Sequence, residues 1–184
     1  PPMLAVVEAA GLALAGGRAS PFVLRLGFIA LAAGSTWLMA RLTARFFGQW
    51  AGFLAAFALS VTGYYGIAAA VFALPDGPLV FFTLLTLDRL AAAIESPRGL
   101  RPWAWVGLAW GGALLSKYHA VFLPAGAILY LATEPSARHW LRRPGPYLAV
   151  GIGLATFSPV VWWNANHGWA SFAFQGGRAL GSFR

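Results

Sequence analysis

The sequence predicts an all-α, polytopic transmembrane helical bundle, and three observations carry that reading. Hydrophobic residues make up 59% of the chain and charged residues only 10%, with a mean hydropathy of +0.68. A soluble domain carries roughly 25% charged residues, and a 184-residue chain with so few has no polar shell for a water-facing surface. The basic residues, which give a net charge of +8, stand in clusters between apolar runs and not along one face. That is the placement of a membrane protein, and it argues against a nucleic-acid partner. The absence of cysteine excludes disulfides and thiolate metal sites.

The elements follow in order. Residues 3–16 are apolar apart from Glu8 and end at Gly16-Gly17. They fall short of the about 20 residues a span needs, so residues 1–20 read as an interfacial helix and its loop. Six spans are expected in residues 21–162. The first is 21–47, whose uncharged centre is flanked by Arg25, Arg41 and Arg45, which snorkel to the headgroups. The second is the apolar run 50–72. After Leu74-Pro75-Asp76-Gly77-Pro78, a turn by its Pro and Gly content, comes 79–94 with Asp88-Arg89 near its end. The fourth, 102–115, opens on Pro102, suited to a first helical turn, and carries Trp103, Trp105 and Trp110. Ser116-Lys117-Tyr118-His119 interrupts the pattern before 121–133. The basic loop 134–144 precedes the last span, 146–162, and residues 163–184 read as the start of a periplasmic loop. Several cores are under 20 residues and borrow flanking residues or thin the bilayer. The chain starts Pro1-Pro2 without an initiator methionine and reads as a fragment truncated at both ends.

Arginine placement orients the bundle. One side receives Arg41, Arg45, Arg98, Arg101, Arg138, Arg142 and Arg143, and the positive-inside rule makes it cytoplasmic. The cluster at Arg138, Arg142 and Arg143 reads as a topology determinant in contact with anionic lipid. The other side collects Asp76, Ser116, Lys117, Tyr118, His119, Asn164, Asn166, His167, Gln175 and Arg178. Polar groups gathered at one face from distant loops are what a site there needs.

Asp76 has two readings. It caps the helix that follows, accepting backbone N–H bonds, or it serves as a carboxylate for a sugar hydroxyl, a metal or a base. Lys117 is an ordinary headgroup-level lysine or a cation for a lipid-linked phosphate. His119 is a hydrogen-bonding or acid–base group. The stretch Trp162-Trp163-Asn164-Ala165-Asn166-His167-Gly168-Trp169 is either an interfacial aromatic belt or a carbohydrate surface of rings and amides. Arg178 is a second phosphate cation or a tail charge. A divalent metal held by His119, His167 and Asp76 stays open, since no spacing demands it.

These residues resemble a family. Pro1-Pro2-Met3 with its following helix, Arg25-Leu26, and Ala44-Arg45-Phe46-Phe47-Gly48 are similar to segments of family 39-type glycosyltransferases. These are the bacterial relatives of protein O-mannosyltransferases and of the lipid A aminoarabinose transferase. Leu74-Pro75-Asp76-Gly77-Pro78-Leu79 resembles the family's Asp-Ala-Pro-Leu, with Gly77 for Ala, and Leu114-Leu115-Ser116-Lys117-Tyr118 resembles its Leu-Ser-Lys-Tyr. Ser158-Pro159, Trp163-Asn164, His167-Gly168-Trp169-Ala170-Ser171-Phe172 and Phe174-Gln175 resemble a segment of the bacterial branch.

The resemblance implies a GT-C membrane fold in the bacterial inner membrane, with its active face periplasmic. It implies sugar transfer from a polyprenyl-phosphate donor to a protein, lipid or glycan acceptor, amid membrane lipids. On that pattern Asp76 is catalytic, at the second acidic position. Lys117, Tyr118, His119, Asn164, His167 and Arg178 bind substrate or lipid phosphate. The main acidic residue of the family precedes the Pro-Pro, so the 184 residues are expected to be inactive alone. The rival reading is a membrane transporter or lipid flippase, which would place polar groups on broken helices near mid-membrane.

Overall fold

The computed structural model describes residues 2–68, 72–96 and 99–179, and the side chains of all of these except 66–68 and 178–179. Arg98, counted above on the cytoplasmic side, lies outside the described residues. Every regular element among the described residues is helical. In chain order these are α1 (Met3–Leu14), α2 (Pro21–Phe47), α3 (Gln49–Val61), a π-turn (Gly63–Ala68) and α4 (Asp76–Glu95). Then come α5 (Arg101–Ser116), a 3₁₀ turn (Tyr118–Val121), α6 (Phe122–Thr133) and a second 3₁₀ turn (Arg138–Arg142). The last two are α7 (Pro144–Asn166) and α8 (Ala170–Ala179).

Three helices, α2, α4 and α7, are long and apolar enough to cross a membrane unaided, at 27, 20 and 23 residues. The other three expected spans are shorter: α3, α5 and α6 have 13, 16 and 12 residues. Large apolar side chains such as Trp37, Phe47, Trp50, Phe53 and Phe57 are exposed, as on a lipid-facing surface. Residues 163–166 continue α7, and 170–179 form α8, so most of the stretch expected as a loop is helical.

The order of packing is α3 on α2, α2 on α4, α4 on α5 and α5 on α7, with α1 against α2 and α5. In lipid no hydrophobic force draws helices together, so close contact between small residues matters. Two glycines let α5 and α7 approach. A Cβ on Gly107 would lie 2.4 Å from the Ala149 carbonyl oxygen, and one on Gly153 would lie 2.1 Å from the Trp110 ring. Inside α7, Pro159 has no N–H for the Ala155 carbonyl. The Ser158 hydroxyl takes that place, donating at 2.7 Å.

Ion pairs align the ends. Arg45 forks onto Glu95, with Nε 3.0 Å from Oε1, and ties the end of α2 to the end of α4. About two turns deeper along α4, the fully buried Asp88 carboxylate accepts from Arg89 Nε at 2.9 Å, and Arg41 Nε lies 3.2 Å away as an ion pair. α2 and α4 therefore end at the same face. Arg138 donates to the Ala132 carbonyl at 2.8 Å and so closes the end of α6.

Gly153→Ala is expected to lower stability by about 1–3 kcal/mol, because the added methyl displaces Trp110 in a packed crossing. Thermal unfolding in detergent reads the change. An unaltered midpoint would show that the crossing relaxes without strain.

Candidate active site

Asp76 opens α4. The helix N-cap is Pro75, and no side chain caps the helix, so Asp76 sits in the first turn and does not cap it. The capping reading is thereby replaced. Its carboxylate is nearly buried and both oxygens accept: Oδ1 from Lys117 Nζ at 2.8 Å and Oδ2 from the Tyr64 hydroxyl at 3.2 Å. The carboxylate lies at the positive end of the α4 dipole. Tyr64 comes from the π-turn after α3, and Lys117 from the break after α5.

That break has a local cause. Ser116, at the end of α5, turns its hydroxyl back to the Gly112 carbonyl at 2.8 Å. Lys117 then adopts extended dihedrals, φ −157° and ψ 138°, while its N–H still closes the last turn on Ala113. The 3₁₀ turn that follows is latched by the buried Trp110 indole, which donates to the Ala120 carbonyl at 2.9 Å. The lysine is thus aimed by the backbone on both sides. Its ammonium carries three N–H donors, and among the described residues only Asp76 accepts from it. The side chain remains about a third exposed, at 36%.

Tyr118 points to α7 and α8. Its ring packs edge-on to Phe157 at 5.9 Å and beside Phe172 at 5.1 Å. Its hydroxyl lies 2.7 Å from the Ser171 hydroxyl, and Ser171 in turn donates to Asn164 Oδ1 at 2.8 Å. Asn164 is fully buried, gives its amide N–H to the Val160 carbonyl, and accepts the Ser171 N–H as well. It stitches the start of α8 to the end of α7 across the tight turn at Gly168 and Trp169, both at positive φ. Asn164 therefore has its polar atoms engaged within the fold.

Asp76, Lys117, Tyr118 and Asn164, up to 88 positions apart in sequence, thus belong to one end of the bundle. The histidines stand aside. His119 is exposed. His167 is exposed, stacks on Trp163 with ring centroids 4.2 Å apart, and hydrogen-bonds through Nδ1 to the Trp163 carbonyl at 2.7 Å. Among the described residues no three His, Asp or Glu side chains gather as a metal site, so the grouping of Asp76, His119 and His167 is not formed. Arg178 lies in α8, but its side chain is outside the described residues. Sequence reasoning missed Tyr64 and Ser171 as members of these networks. The signal for Tyr64 was its place near the end of an apolar run, on the side that alternation assigns to Asp76.

Beside the 3₁₀ turn an apolar groove of about 310 Å³ runs between α4, α5, α6 and α7. It reaches from Phe122 and Leu123, just past Lys117, to Trp103 and Pro146 at the other end of the helices. Neither Asp76 nor Lys117 lines it.

An all-α membrane bundle whose ionisable side chains meet at the helix ends fits a membrane enzyme working on a lipid-borne substrate. The family comparison defines it further: residues 1–163 match the dolichyl-phosphate-mannose-protein mannosyltransferase family, and the chain belongs to that family. It is a multi-pass membrane glycosyltransferase of the GT-C type, using a polyprenyl-phosphate-linked sugar donor. Neither the curated proteins nor the solved structures gave a match.

The hydroxyl pair Tyr118–Ser171 is expected to couple. Tyr118→Phe and Ser171→Ala should each destabilise the fold by about 1 kcal/mol, and the double variant by less than their sum. A double-mutant cycle on thermal unfolding checks this, and strict additivity would show that the contact contributes nothing.

Proposed function

We propose that the face carrying Asp76 and Lys117 is the active face and is periplasmic, in a bacterial inner-membrane enzyme that moves a sugar to a hydroxyl or amine acceptor. The observation that supports this most is the Lys117–Asp76 ion pair at 2.8 Å, with Tyr64 on the second carboxylate oxygen. It joins three segments of chain at the end of the bundle away from Arg41, Arg45, Arg138, Arg142 and Arg143.

The acceptor attacks the anomeric carbon. The bond from that carbon to the phosphate oxygen breaks, and its electron pair stays on the polyprenyl phosphate. Lys117 supplies the cation where this charge grows. Asp76 is assigned to hold Lys117 and Tyr64 in place, because both of its oxygens already accept from them. The acceptor's proton passes to a carboxylate base, and the family pattern places the main acidic residue ahead of Pro1-Pro2. The polyprenyl chain occupies the apolar groove that begins at Phe122 and Leu123. Tyr118, anchored through Ser171 and Asn164, fixes the turn from which Lys117 projects.

A transport reading would want charged groups on broken helices at mid-membrane. Asp76 and Lys117 instead occupy the ends of α4 and α5.

In the full-length enzyme, Lys117→Gln is expected to lower kcat about 100-fold with a polyprenyl-phosphate sugar donor, and Asp76→Asn to lower it less, about tenfold. Unchanged turnover in Lys117→Gln would overturn the phosphate assignment. The sidedness is tested separately, and the lack of native cysteine makes it simple. In intact cells a membrane-impermeant maleimide should label His119→Cys and spare Ser136→Cys. The reverse pattern would place the Asp76 face in the cytoplasm.

A further inference from the structure

We propose a binding site for an anionic phospholipid in the cleft between α2 and α3, at the arginine-rich end of the bundle. The cleft measures about 590 Å³. Arg41 and Arg45, one turn apart on α2, line it together with Trp37, and Phe53 lines it from α3. Its floor is the contact between the two helices. A Cβ on Gly52 would lie 2.5 Å from the Ala40 carbonyl oxygen, so the helices touch there and only small side chains cover the contact.

The charges beside the cleft do not balance. Arg41, Arg45 and Arg89 share two carboxylates, Asp88 and Glu95. One positive charge is left over, and no acidic side chain is among the described residues that line the cleft. Arg41 shows the same surplus in its hydrogen bonding. Its Nε meets Asp88 Oδ1 as an ion pair at 3.2 Å, yet that oxygen accepts no hydrogen bond. A guanidinium has five N–H donors, and none of those on Arg41 donates to another described residue. The side chain is 45% exposed, so these donors are reachable as they stand. The Trp37 ring, its centre 5.2 Å from the guanidinium carbon, helps to hold the group in this position.

Arg41 lies six residues before the end of α2, about 9 Å along the helix axis. On a helix that crosses lipid, a guanidinium with unmade bonds at that depth is costly. A phosphodiester drawn down to it supplies the acceptor oxygens and the one negative charge that is missing. The cleft is also graded along its length. Arg45 and Gln49 stand at its outer end, where α2 stops and α3 starts, and Trp37 and Ala56 stand at its inner end. A headgroup fits the first and an acyl chain the second. A zwitterionic lipid brings an ammonium of its own, which the surplus arginine charge repels. The site stands on these contacts and does not rest on the sugar-transfer reading.

The test is native mass spectrometry of the full-length enzyme in detergent, with phosphatidylglycerol or with phosphatidylethanolamine of the same acyl chains. Phosphatidylglycerol should be retained about tenfold more. Arg41→Gln should lower its retention several-fold. Because Arg41 also pairs with the buried Asp88, a second variant leaves every charge in place: Ala56→Leu fills the inner end of the cleft and should lower retention several-fold as well. Arg101→Gln removes an exposed charge at the same end but outside the cleft, and should change nothing. Equal retention of the two lipids would overturn the site, as would full retention in Ala56→Leu. A loss in Arg101→Gln as large as in Arg41→Gln would reduce the effect to surface charge and overturn it too. Millimolar glycerol 3-phosphate should fail to displace the lipid. Displacement would replace the lipid assignment with a soluble phosphate ligand.

Discussion

The crossing of α5 and α7 is the contact on which the rest of the arrangement depends. Within a bilayer, burial of apolar surface does not favour helix association, so the crossing rests on close fit. Gly107 lets the backbone of α7 approach at Ala149, and Gly153 makes room for the Trp110 ring. Trp110, seated there, reaches the Ala120 carbonyl and closes the turn after α5. That turn sets the direction of Lys117 and Tyr118. At the other end the same crossing lays Trp103 against Gly145. One packing contact between two helices therefore shapes both ends of the bundle.

α4 supplies the charges that the crossing positions. The chain has five acidic residues, and three of them, Asp76, Asp88 and Glu95, lie on α4. Each meets a cation: Lys117 at one end, and Arg41, Arg89 and Arg45 at the other. A carboxylate at the depth of Asp88, with no exposed surface, is tolerable in lipid only when paired. The two ends differ in what pairing achieves. At the arginine-rich end it holds α2 beside α4. At the Asp76 end it holds a lysine that still faces outward.

Much of this was legible in the sequence, and the limit has a physical cause. Class, helical content and the sharing of one face by Asp76, Lys117, Tyr118 and Asn164 follow from apolar run lengths and arginine alternation, which depend only on the chain's path. Partner choice depends on how helices are rotated and shifted against each other. That is set by glycine contacts such as Gly107 and Gly153, which look like any other glycine in an apolar run. Tyr64 and Ser171 were missed for this reason, and Asp76 kept a capping alternative that the geometry removes. Asn164 and His167 illustrate the converse. Polar residues in an aromatic stretch suggested a sugar surface, yet Asn164 joins α7 to α8, and His167 lies stacked on Trp163. Short-range bonding of Asn and His to nearby backbone competes with any ligand role.

The pairing of Asp76 bears on how a site of this kind works. Both oxygens of the Asp76 carboxylate are engaged, one by Lys117 and one by Tyr64. The same bonding makes it an effective anchor. A lysine has four rotatable carbons and loses up to about 2 kcal/mol of rotamer freedom when fixed. Asp76 holds it without any substrate, so on the proposed reading that loss is not charged to the binding of a phosphate. The lysine's two remaining N–H groups have no acceptor among the described residues, and the apolar groove begins a few residues further along the chain, at Phe122 and Leu123. Preorganised charge at a helix end next to an apolar channel suits a substrate that is phosphate at one end and hydrocarbon at the other. On the proposed reading Asp76 acts through the position of Lys117.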